Sequence, residues 1–328
     1  MAPFNPDDLS RFDDFQILET TYKIVSGHEI ACHVLVSKRL VERARPSPTE
    51  PRPIIFRFHG GGFIAASSLF PDFFQPWVLQ LASLHDAIIV SCDYRLAPEA
   101  TLDEIIEDVD DCFRWIQDKL PSFISAETNI NADTTRILTA GDSAGGYLSL
   151  LFGLNHASDV RAVTAAYPVI DIKSAHFVGS HEKPMMGFPH LPISLVHEHE
   201  AKVKSGEIPP ITSSDPRCAR IGLMFSFVQN AKYDEFFPSD RRDLNILEKV
   251  DDGARFPRGG VFICHGKSDS LVPVEGSVKL LEKVREIDPE LPFTLSIQEG
   301  EHGFDATASI EDQWMHDGLK GLVSAWLA

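Results

Sequence analysis

The chain contains 328 residues, of which 43% are hydrophobic, and it carries a formal net charge of −18. A chain of this length can bury a large core, and we expect one catalytic domain over residues 1–328 with an insertion, not two independent domains. Nucleic-acid binding is excluded as a function class, because phosphate backbones require clustered Lys and Arg and this acidic sequence has no long basic run.

The amino-terminal sequence and the cysteines indicate the compartment. Residues 1–15 carry Asp at four positions where a secretory signal would need a basic start and an apolar stretch. No apolar run reaches the length of a membrane span. Five widely spaced cysteines without a C-x-x-C motif are typical of free thiols in a reducing compartment. We therefore expect a soluble, cytoplasmic protein.

Short apolar runs alternate with helical stretches, which is typical of a mostly parallel sheet with helices on both faces. An antiparallel pair over residues 21–26 and 29–36 comes first, and a charged, proline-rich linker over residues 39–53 follows it. The predicted buried strands are residues 53–58, 87–92, 136–140, 162–166, 260–264 and 293–297. The predicted helices are residues 73–84, 102–120, 144–156, 274–287 and 309–327.

One long stretch, residues 171–256, interrupts this alternation. It contains proline and glycine interruptions and two amphipathic pieces near residues 193–204 and 218–231, but no clear buried strand. We interpret the stretch as an insertion folded over the sheet.

A serine nucleophile is predicted in the segment Gly141-Asp142-Ser143-Ala144-Gly145, which matches the pattern G-x-S-x-G. The segment lies between a predicted strand and a predicted helix, and a tight turn in this context exposes the serine hydroxyl above the sheet. A plain helix start with Asp or Ser as its cap is the alternative interpretation. The flanking strand and helix favour the nucleophile.

The sequence His-Gly-Gly-Gly at residues 59–62 follows the predicted strand 53–58 directly. The backbone N–H groups of Gly61 and Gly62, together with that of Ala144, would surround the negative oxygen of a tetrahedral intermediate. The same glycines also fit a loose dinucleotide-binding fingerprint, with Asp93 as a ribose ligand. Acyl transfer is the better interpretation, because nucleotide binding leaves the serine elbow unexplained.

Two later loops supply the partners that a serine nucleophile needs. Asp269 follows the strand 260–264, and His302 follows the strand 293–297. The chain order Ser143, Asp269, His302 is the order of the triad in α/β-hydrolases. In this interpretation His302 takes the proton of Ser143, and Asp269 holds the imidazole tautomer.

These residues resemble the hormone-sensitive lipase-like family of α/β-hydrolases over about residues 53–304. The motifs that carry the resemblance are His59-Gly60-Gly61-Gly62-Phe63, Asp93-Tyr94-Arg95-Leu96-Ala97-Pro98-Glu99, Gly141-Asp142-Ser143-Ala144-Gly145-Gly146, the Asp269 loop and His302-Gly303-Phe304. The resemblance implies an eight-stranded α/β-hydrolase sheet, acyl-hydrolase activity without metal or cofactor, and a helical cap. That cap would comprise about residues 1–20 and the insertion 171–256.

The chain departs from the family pattern where Ala100-Thr101-Leu102 replaces a proline-rich turn, and in its acidic, divergent cap. The acid-rich helix that follows resembles fungal enzymes encoded near secondary-metabolite pathways more than bacterial esterases. Arg95 and Glu99 are expected to be structural ties beneath the oxyanion loop, and Asp142 is expected to support the elbow.

Three hypotheses for function follow. The first is a serine hydrolase that cleaves a small-molecule carboxylic ester or lactone through an acyl-enzyme on Ser143. The alternative is a non-hydrolytic enzyme of the same fold that performs an elimination, cyclisation or acyl transfer on a biosynthetic intermediate. The third is a binding module that has lost catalysis, against which the intact Ser, Asp and His argue.

Apolar residues of the insertion and the oxyanion loop are candidates for an acyl pocket, with core packing as the alternative. The candidate substrate-contacting residues are Phe63, Met185, Met186, Phe188, Met224 and Phe225. A metal site is not expected, because His197 and His199 would point to different faces of a helix. A homodimer is considered, since the last helix has an apolar face that could bury against the sheet or a second subunit.

Overall fold

Eight strands form one mostly parallel sheet in the computed structural model, which describes residues 4–44, 50–179, 182–238 and 240–328. The strands are β1 (Phe15–Val25), β2 (His28–Ser37), β3 (Arg52–Phe58), β4 (Ile88–Cys92), β5 (Ala132–Gly141), β6 (Ala162–Ala166), β7 (Val261–Gly266) and β8 (Phe293–Gln298). Their order across the sheet is β1-β2-β4-β3-β5-β6-β7-β8. The pairs β1–β2 and β2–β4 are antiparallel, and the other neighbours are parallel. The predicted fold class is confirmed.

The helices lie on both faces of this sheet or belong to the insertion 171–256. They are α1 (Lys38–Ala44), α2 (Pro76–His85), α3 (Leu102–Asp118), α4 (Leu120–Thr128), α5 (Ala144–Asn155), α6 (Ala175–Val178), α7 (Ser194–Ser205), α8 (Ile221–Gln229), α9 (Ile246–Asp251), α10 (Glu275–Ile287) and α11 (Gln313–Leu327). A capping box defines the start of α3, because Thr101 accepts the N–H of Glu104 and the Glu104 side chain accepts the N–H of Thr101.

Both faces of the sheet are buried, as parallel strands require. Neighbouring residues of β3 point to opposite faces, so Phe56 and Phe58 join the larger core cluster and Ile55 joins the second. The second cluster is completed by Trp77 of α2 and Trp326 of α11, both nearly inaccessible to solvent. The central strand ends are therefore held rigidly, and the loops that follow them start from fixed positions.

Three sequence expectations are corrected by the fold. The predicted linker 39–53 contains the helix α1, because Leu40, Val41 and Ala44 share one face that is buried in the core; residues 45–49 lie outside the described part of the chain. The predicted N-terminal cap segment, residues 1–20, is too long at its end, because residues 15–20 belong to the strand β1. The predicted helix 102–120 ends at Asp118, and a separate helix with Pro121 in its first turn follows.

The insertion 171–256 carries helices α6 to α9 and, within its described residues, no strand of the sheet. The two predicted amphipathic pieces correspond to α7 and α8. Glu99, in the loop after β4, ties this insertion to the core, because it accepts hydrogen bonds from Arg220 at 2.6 Å and contacts His199 at 3.2 Å. We call residues 171–256 the cap below.

The last helix covers the sheet within the same chain. Its apolar residues Leu319, Leu322 and Trp326 are buried in the second core cluster, so this apolar face packs against the sheet of the same chain. All five cysteines are free and buried. Among the described residues, no helix combines the length and the apolar character that a bilayer crossing needs.

Candidate active site

Ser143 stands in a strained turn between β5 and α5. Its backbone is left-handed, with φ 55° and ψ −117°, which a non-glycine residue adopts only at a cost of about 1–3 kcal/mol. Two contacts hold the turn: the Ser143 N–H donates to Ala166 O at 2.9 Å, and α5 approaches β3 so closely that a Cβ on Gly145 would collide with Phe58 O. This is the conformation that the G-x-S-x-G context predicts for a nucleophile elbow.

The glycine loop after β3 leaves its N–H groups unpaired. Gly61 and Gly62 have φ of 98° and 64°, and the Gly61 carbonyl accepts the N–H groups of Ile64 and Ala65 at 3.0 and 2.9 Å. Among the described residues, the N–H groups of Gly61 and Gly62 have no acceptor. The N–H of Ala144, first in α5, has no intrahelical acceptor either. Three backbone donors are thus available to a developing oxyanion.

A buried ion pair supports both loops from below. Arg57 of β3 donates to Asp142 Oδ1 at 3.1 Å and to Phe73 O at 2.6 Å, and both charged side chains are almost fully buried. A Cβ on Gly60 would collide with the Asp142 carboxylate, so the glycine loop rests directly on that side chain. Burial raises the pKa of Asp142 to about 6, although Arg57 opposes the shift. Asp142 therefore supports the elbow, as expected.

Asp269 and His302 are brought together from two separate loops. Asp269 Oδ2 lies 2.8 Å from His302 Nδ1, and Asp269 Oδ1 accepts the N–H groups of Leu271 and Val272 at 3.0 and 2.8 Å. Burial opposes ionisation of Asp269, but the charge of His302 and hydrogen bonds from His265 and His302 outweigh it, so the pKa of Asp269 lies well below its usual range. Burial also disfavours the imidazolium, yet Asp269 raises the pKa of His302 above its ordinary value.

A second histidine, His265 of β7, also contacts the carboxylate of Asp269. Its Nε2 lies 2.9 Å from Val272 O and 3.3 Å from Asp269 Oδ2, and its Nδ1 lies 2.8 Å from Ser277 Oγ. A carbonyl oxygen can only accept, so Nε2 carries the hydrogen and Nδ1 accepts from the serine hydroxyl. His265 thereby fixes the Asp269 loop. Sequence analysis did not assign a role to it, although its position directly after the predicted strand 260–264 and four residues before Asp269 was a usable signal.

Glu301 links the loops that carry Asp269 and His302 to the cap. Its Oε1 accepts the N–H of His302 at 2.9 Å and that of Ser270 at 2.5 Å, and its Oε2 accepts the Ser270 hydroxyl at 2.8 Å. Ser270 Oγ in turn accepts the N–H of Met186 from the cap at 2.8 Å. No sequence pattern indicates this link, because it joins three segments that are distant along the chain.

Ser143 and His302 face one cavity of about 290 Å³ between the sheet and the cap. No hydrogen bond joins these two side chains among the described residues, a looseness common in free enzymes. Gly61 and Gly62 also line the cavity, as do four of the candidate substrate-contacting residues. Those four are Met186, Phe188, Met224 and Phe225. Phe4, from the amino-terminal segment, lines it too and packs edge-on against Phe70 and Phe73.

The other two candidate substrate contacts are corrected. Phe63 is 1% exposed and packs edge-on against Tyr147 at 5.6 Å, so the left-handed turn of the glycine loop directs its ring into the core. Met185 is fully buried and lies at the base of a short hairpin that it closes with Phe188. Neither residue is among the described residues that line the cavity.

Three further sequence interpretations are resolved by contacts. Arg95 donates to Asp108 at 2.8 Å and so ties α3 to the loop after β4; contrary to the expectation, its hydrogen bonds among the described residues go to α3 and none goes to the glycine loop. Glu99 ties that loop to the cap instead of supporting the glycines. Asp93 is buried and accepts the N–H of Ser68 at 2.7 Å, so it is unavailable to a ribose and the dinucleotide interpretation loses its ligand.

Comparison with known proteins agrees with this geometry. A family described as the α/β-hydrolase fold matches residues 55–197. A probable carboxylesterase M8 of a Phoma species is 28% identical over 97% of this chain and 98% of that protein. The hormone-sensitive lipase of Ictidomys tridecemlineatus is 30% identical, over 57% of this chain but 23% of that protein.

The fold is shared with solved esterase structures. One of two fungal esterases from Rhizomucor miehei superposes with a TM-score of 0.64 and 19% identity, over 99% of this chain and 88% of that one. The glycine loop, the strained serine elbow and these matches agree: the chain has the α/β-hydrolase fold, and its sequence is similar to those of a probable carboxylesterase and a hormone-sensitive lipase.

Proposed function

We propose that this protein is a serine hydrolase that cleaves a carboxylic ester or lactone through an acyl-enzyme on Ser143, with His302 and Asp269 as its triad partners. The observation that carries the proposal is that the strained Ser143, the glycines Gly61 and Gly62 and the imidazole of His302 all line one cavity. The Ala144 N–H lies directly after Ser143, and Asp269 is hydrogen-bonded to His302 from behind. Acyl transfer requires a nucleophile, a base and an oxyanion site, and these groups supply all three.

Acylation begins when His302 Nε2 accepts the hydroxyl proton of Ser143 and Oγ attacks the substrate carbonyl carbon. The carbonyl oxygen becomes an oxyanion and accepts hydrogen bonds from the N–H groups of Gly61, Gly62 and Ala144. Asp269 accepts the Nδ1–H of His302 and stabilises the imidazolium. The tetrahedral intermediate collapses when the imidazolium gives its proton to the leaving alkoxide oxygen, so the alcohol departs and the acyl group stays on Ser143.

Deacylation repeats the same steps with water as the nucleophile. His302 removes a proton from water, the resulting hydroxide attacks the acyl carbon, and the same three N–H groups hold the second oxyanion. The imidazolium then returns its proton to Ser143 Oγ as the acyl–oxygen bond breaks. No metal or cofactor enters any step of this scheme.

The named relatives favour hydrolysis over the elimination, cyclisation or acyl-transfer alternative. One relative that matches almost end to end is a probable carboxylesterase, and a solved neighbour is an esterase. The five free cysteines support the further proposal of a cytoplasmic location, because they match a reducing compartment.

Turnover of p-nitrophenyl butyrate by the purified chain tests the function. The native chain should release nitrophenol, and Ser143→Ala should lower kcat by at least about ten-thousandfold, the scale of losses for triad members. Ser122→Ala is the matched control, because Ser122 is exposed on α4. Activity of Ser143→Ala within tenfold of the native chain would overturn the proposal.

A further inference from the structure

The cavity above Ser143 has two chemically different walls. The cap wall is apolar and includes Met186, Met224 and Phe225. The opposite wall, which we call the polar wall, is formed by side chains from loops that follow strands of the sheet. The polar wall consists of Asp72, Gln75, Asp142, Tyr167 and Asp305. An ester with a purely hydrocarbon body would match only the cap wall.

Hydrogen bonds within the protein satisfy most of the polar wall. Gln75 Nε2 donates to the phenolic oxygen of Tyr167 at 3.1 Å. Asp142 accepts a hydrogen bond from the Arg57 guanidinium, as described above, and Asp72 accepts the N–H of Asn5 at 2.9 Å. Asp305 Oδ2 accepts the indole N–H of Trp77 at 2.9 Å.

One oxygen of this wall is left over. Asp305 is 1% exposed, and its Oδ1 accepts no hydrogen bond among the described residues. A buried polar atom without a partner costs about 1–3 kcal/mol, and more when it is charged. Burial raises the pKa of Asp305, although Trp77 and Tyr167 oppose the shift, so an added donor would stabilise its ionised form. A ligand that brings a hydrogen-bond donor to this atom recovers that cost.

The charges around the cavity limit what this donor can belong to. Three carboxyl groups line the cavity, and none of its described lining residues is Lys or Arg. Arg57, the nearest guanidinium named above, is buried beneath the wall and already paired. A substrate that carries a carboxylate or phosphate is therefore repelled, whereas a neutral hydroxyl group is accepted.

From this arrangement we infer that Asp305 is a substrate-binding residue, whose Oδ1 accepts a hydrogen bond from a hydroxyl group on a neutral ester. The inference rests on the proposed ester hydrolysis and narrows its substrate class to hydroxylated esters. The hydroxyl group belongs to the acyl part or to the alcohol part, and the cap wall holds the hydrocarbon remainder. A buried acceptor of this kind discriminates strongly against an analogue that lacks the donor.

Two matched ester pairs test the inference and separate the two sources of the hydroxyl. The acyl pair is p-nitrophenyl β-hydroxybutyrate against p-nitrophenyl butyrate, and the alcohol pair is hydroxyethyl butyrate against ethyl butyrate. The measured quantity is the preference, defined as the ratio of kcat/KM for the hydroxylated ester to that for its plain partner. The native chain should prefer the hydroxylated member of at least one pair, and Asp305→Ala should lower that preference about tenfold.

Trp77→Phe is the matched control, because it removes the hydrogen bond to Oδ2 and leaves Oδ1 unchanged. This variant should keep the native preference. The inference is overturned if the native chain shows no preference in either pair, or if Trp77→Phe lowers the preference as much as Asp305→Ala. Absence of turnover with all four esters would instead count against the proposed function.

A second variant keeps the test decisive if Asp305→Ala does not fold. In Asp305→Asn, the Trp77 N–H requires the amide oxygen, so the NH2 group takes the place of Oδ1 and offers a donor instead of an acceptor. The methoxy oxygen of a β-methoxy ester can only accept a hydrogen bond. The ratio of kcat/KM for the β-hydroxy ester to that for the β-methoxy ester should therefore be lower in Asp305→Asn than in the native chain. An unchanged hydroxy-to-methoxy ratio in this variant would contradict the inference.

Discussion

Replacement of Asp269 by Asn removes one charge from the candidate active site and keeps the size of the side chain. In the native chain, Oδ1 accepts the N–H groups of Leu271 and Val272, and Oδ2 faces His302 at 2.8 Å and His265 at 3.3 Å. Two backbone N–H groups require an acceptor, so the amide oxygen of the variant must occupy the Oδ1 position. Its NH2 group must therefore face His302.

An NH2 group in that position reverses the hydrogen bond that orients His302. The imidazole must accept at Nδ1 and carry its proton on Nε2, where it cannot remove the proton of Ser143. In serine-protease triads the same substitution costs about ten-thousandfold in kcat, which corresponds to roughly 5 kcal/mol. We expect a loss of that order here, because the Asp269 side chain is fully buried and water cannot replace it.

The pH profile should move in a defined direction. The reactive form holds His302 neutral, and Asp269 raises the pKa of His302, so native kcat/KM should fall as the pH drops through that raised value. Without the charge at residue 269, the imidazolium loses its stabilisation. The acid limb of the residual activity in Asp269→Asn should therefore lie at lower pH than in the native chain.

The assay is the release of p-nitrophenol from the butyrate ester across a pH series, with Asp317→Asn as an exposed acidic control on α11. Asp317→Asn should retain native kcat within about twofold, as is usual for surface substitutions. A loss below a hundredfold in Asp269→Asn, or an acid limb that stays at the native pH, would refute this account of the triad.

Three further predictions concern the surroundings of the triad. Glu301→Ala should lower kcat/KM about tenfold, because it leaves the N–H of His302 without its acceptor, whereas exposed Glu299→Ala should have no measurable effect in the same assay. Gly62→Ala should lower kcat about a hundredfold, since the added Cβ meets Met224 and the left-handed φ of 64° disfavours alanine; native kcat would contradict this role of the loop. Met224→Ala should raise kcat/KM for esters of longer acyl chains relative to the acetate ester, because the smaller side chain leaves room in the cavity. The expected gain is about fourfold for each methylene group newly buried. An unchanged dependence on chain length would show that Met224 does not contact the acyl group.

The sequence predicted those parts of the site that depend on local chain geometry. The elbow at Ser143 and the loop at Gly61 and Gly62 are continuous segments next to strands, and their conformations follow from glycine spacing. Asp269 and His302 were expected near one another because parallel strands deliver their following loops to one edge of the sheet. Strand order and register then bring the two side chains within hydrogen-bond distance.

The parts that were not predicted depend on contacts between distant segments. Glu301 joins the two triad loops across 31 residues, and Asp305 meets Trp77 across 228. In the sequence both are acidic residues beside a predicted catalytic histidine, and no periodicity marks them. Phe63 was misassigned for a related reason, since its position next to the glycines indicates proximity to substrate but the direction of its side chain depends on the backbone turn.

Trapping of the acyl-enzyme is the most direct test of the central claim. The native chain is mixed with p-nitrophenyl butyrate, quenched in acid during turnover, digested and analysed by mass spectrometry. A butyryl group should be found on the peptide that contains Ser143, and the Ser143→Ala variant should carry none. A butyryl group on a different residue, or full turnover by a chain whose Ser143 is never acylated, would contradict the account.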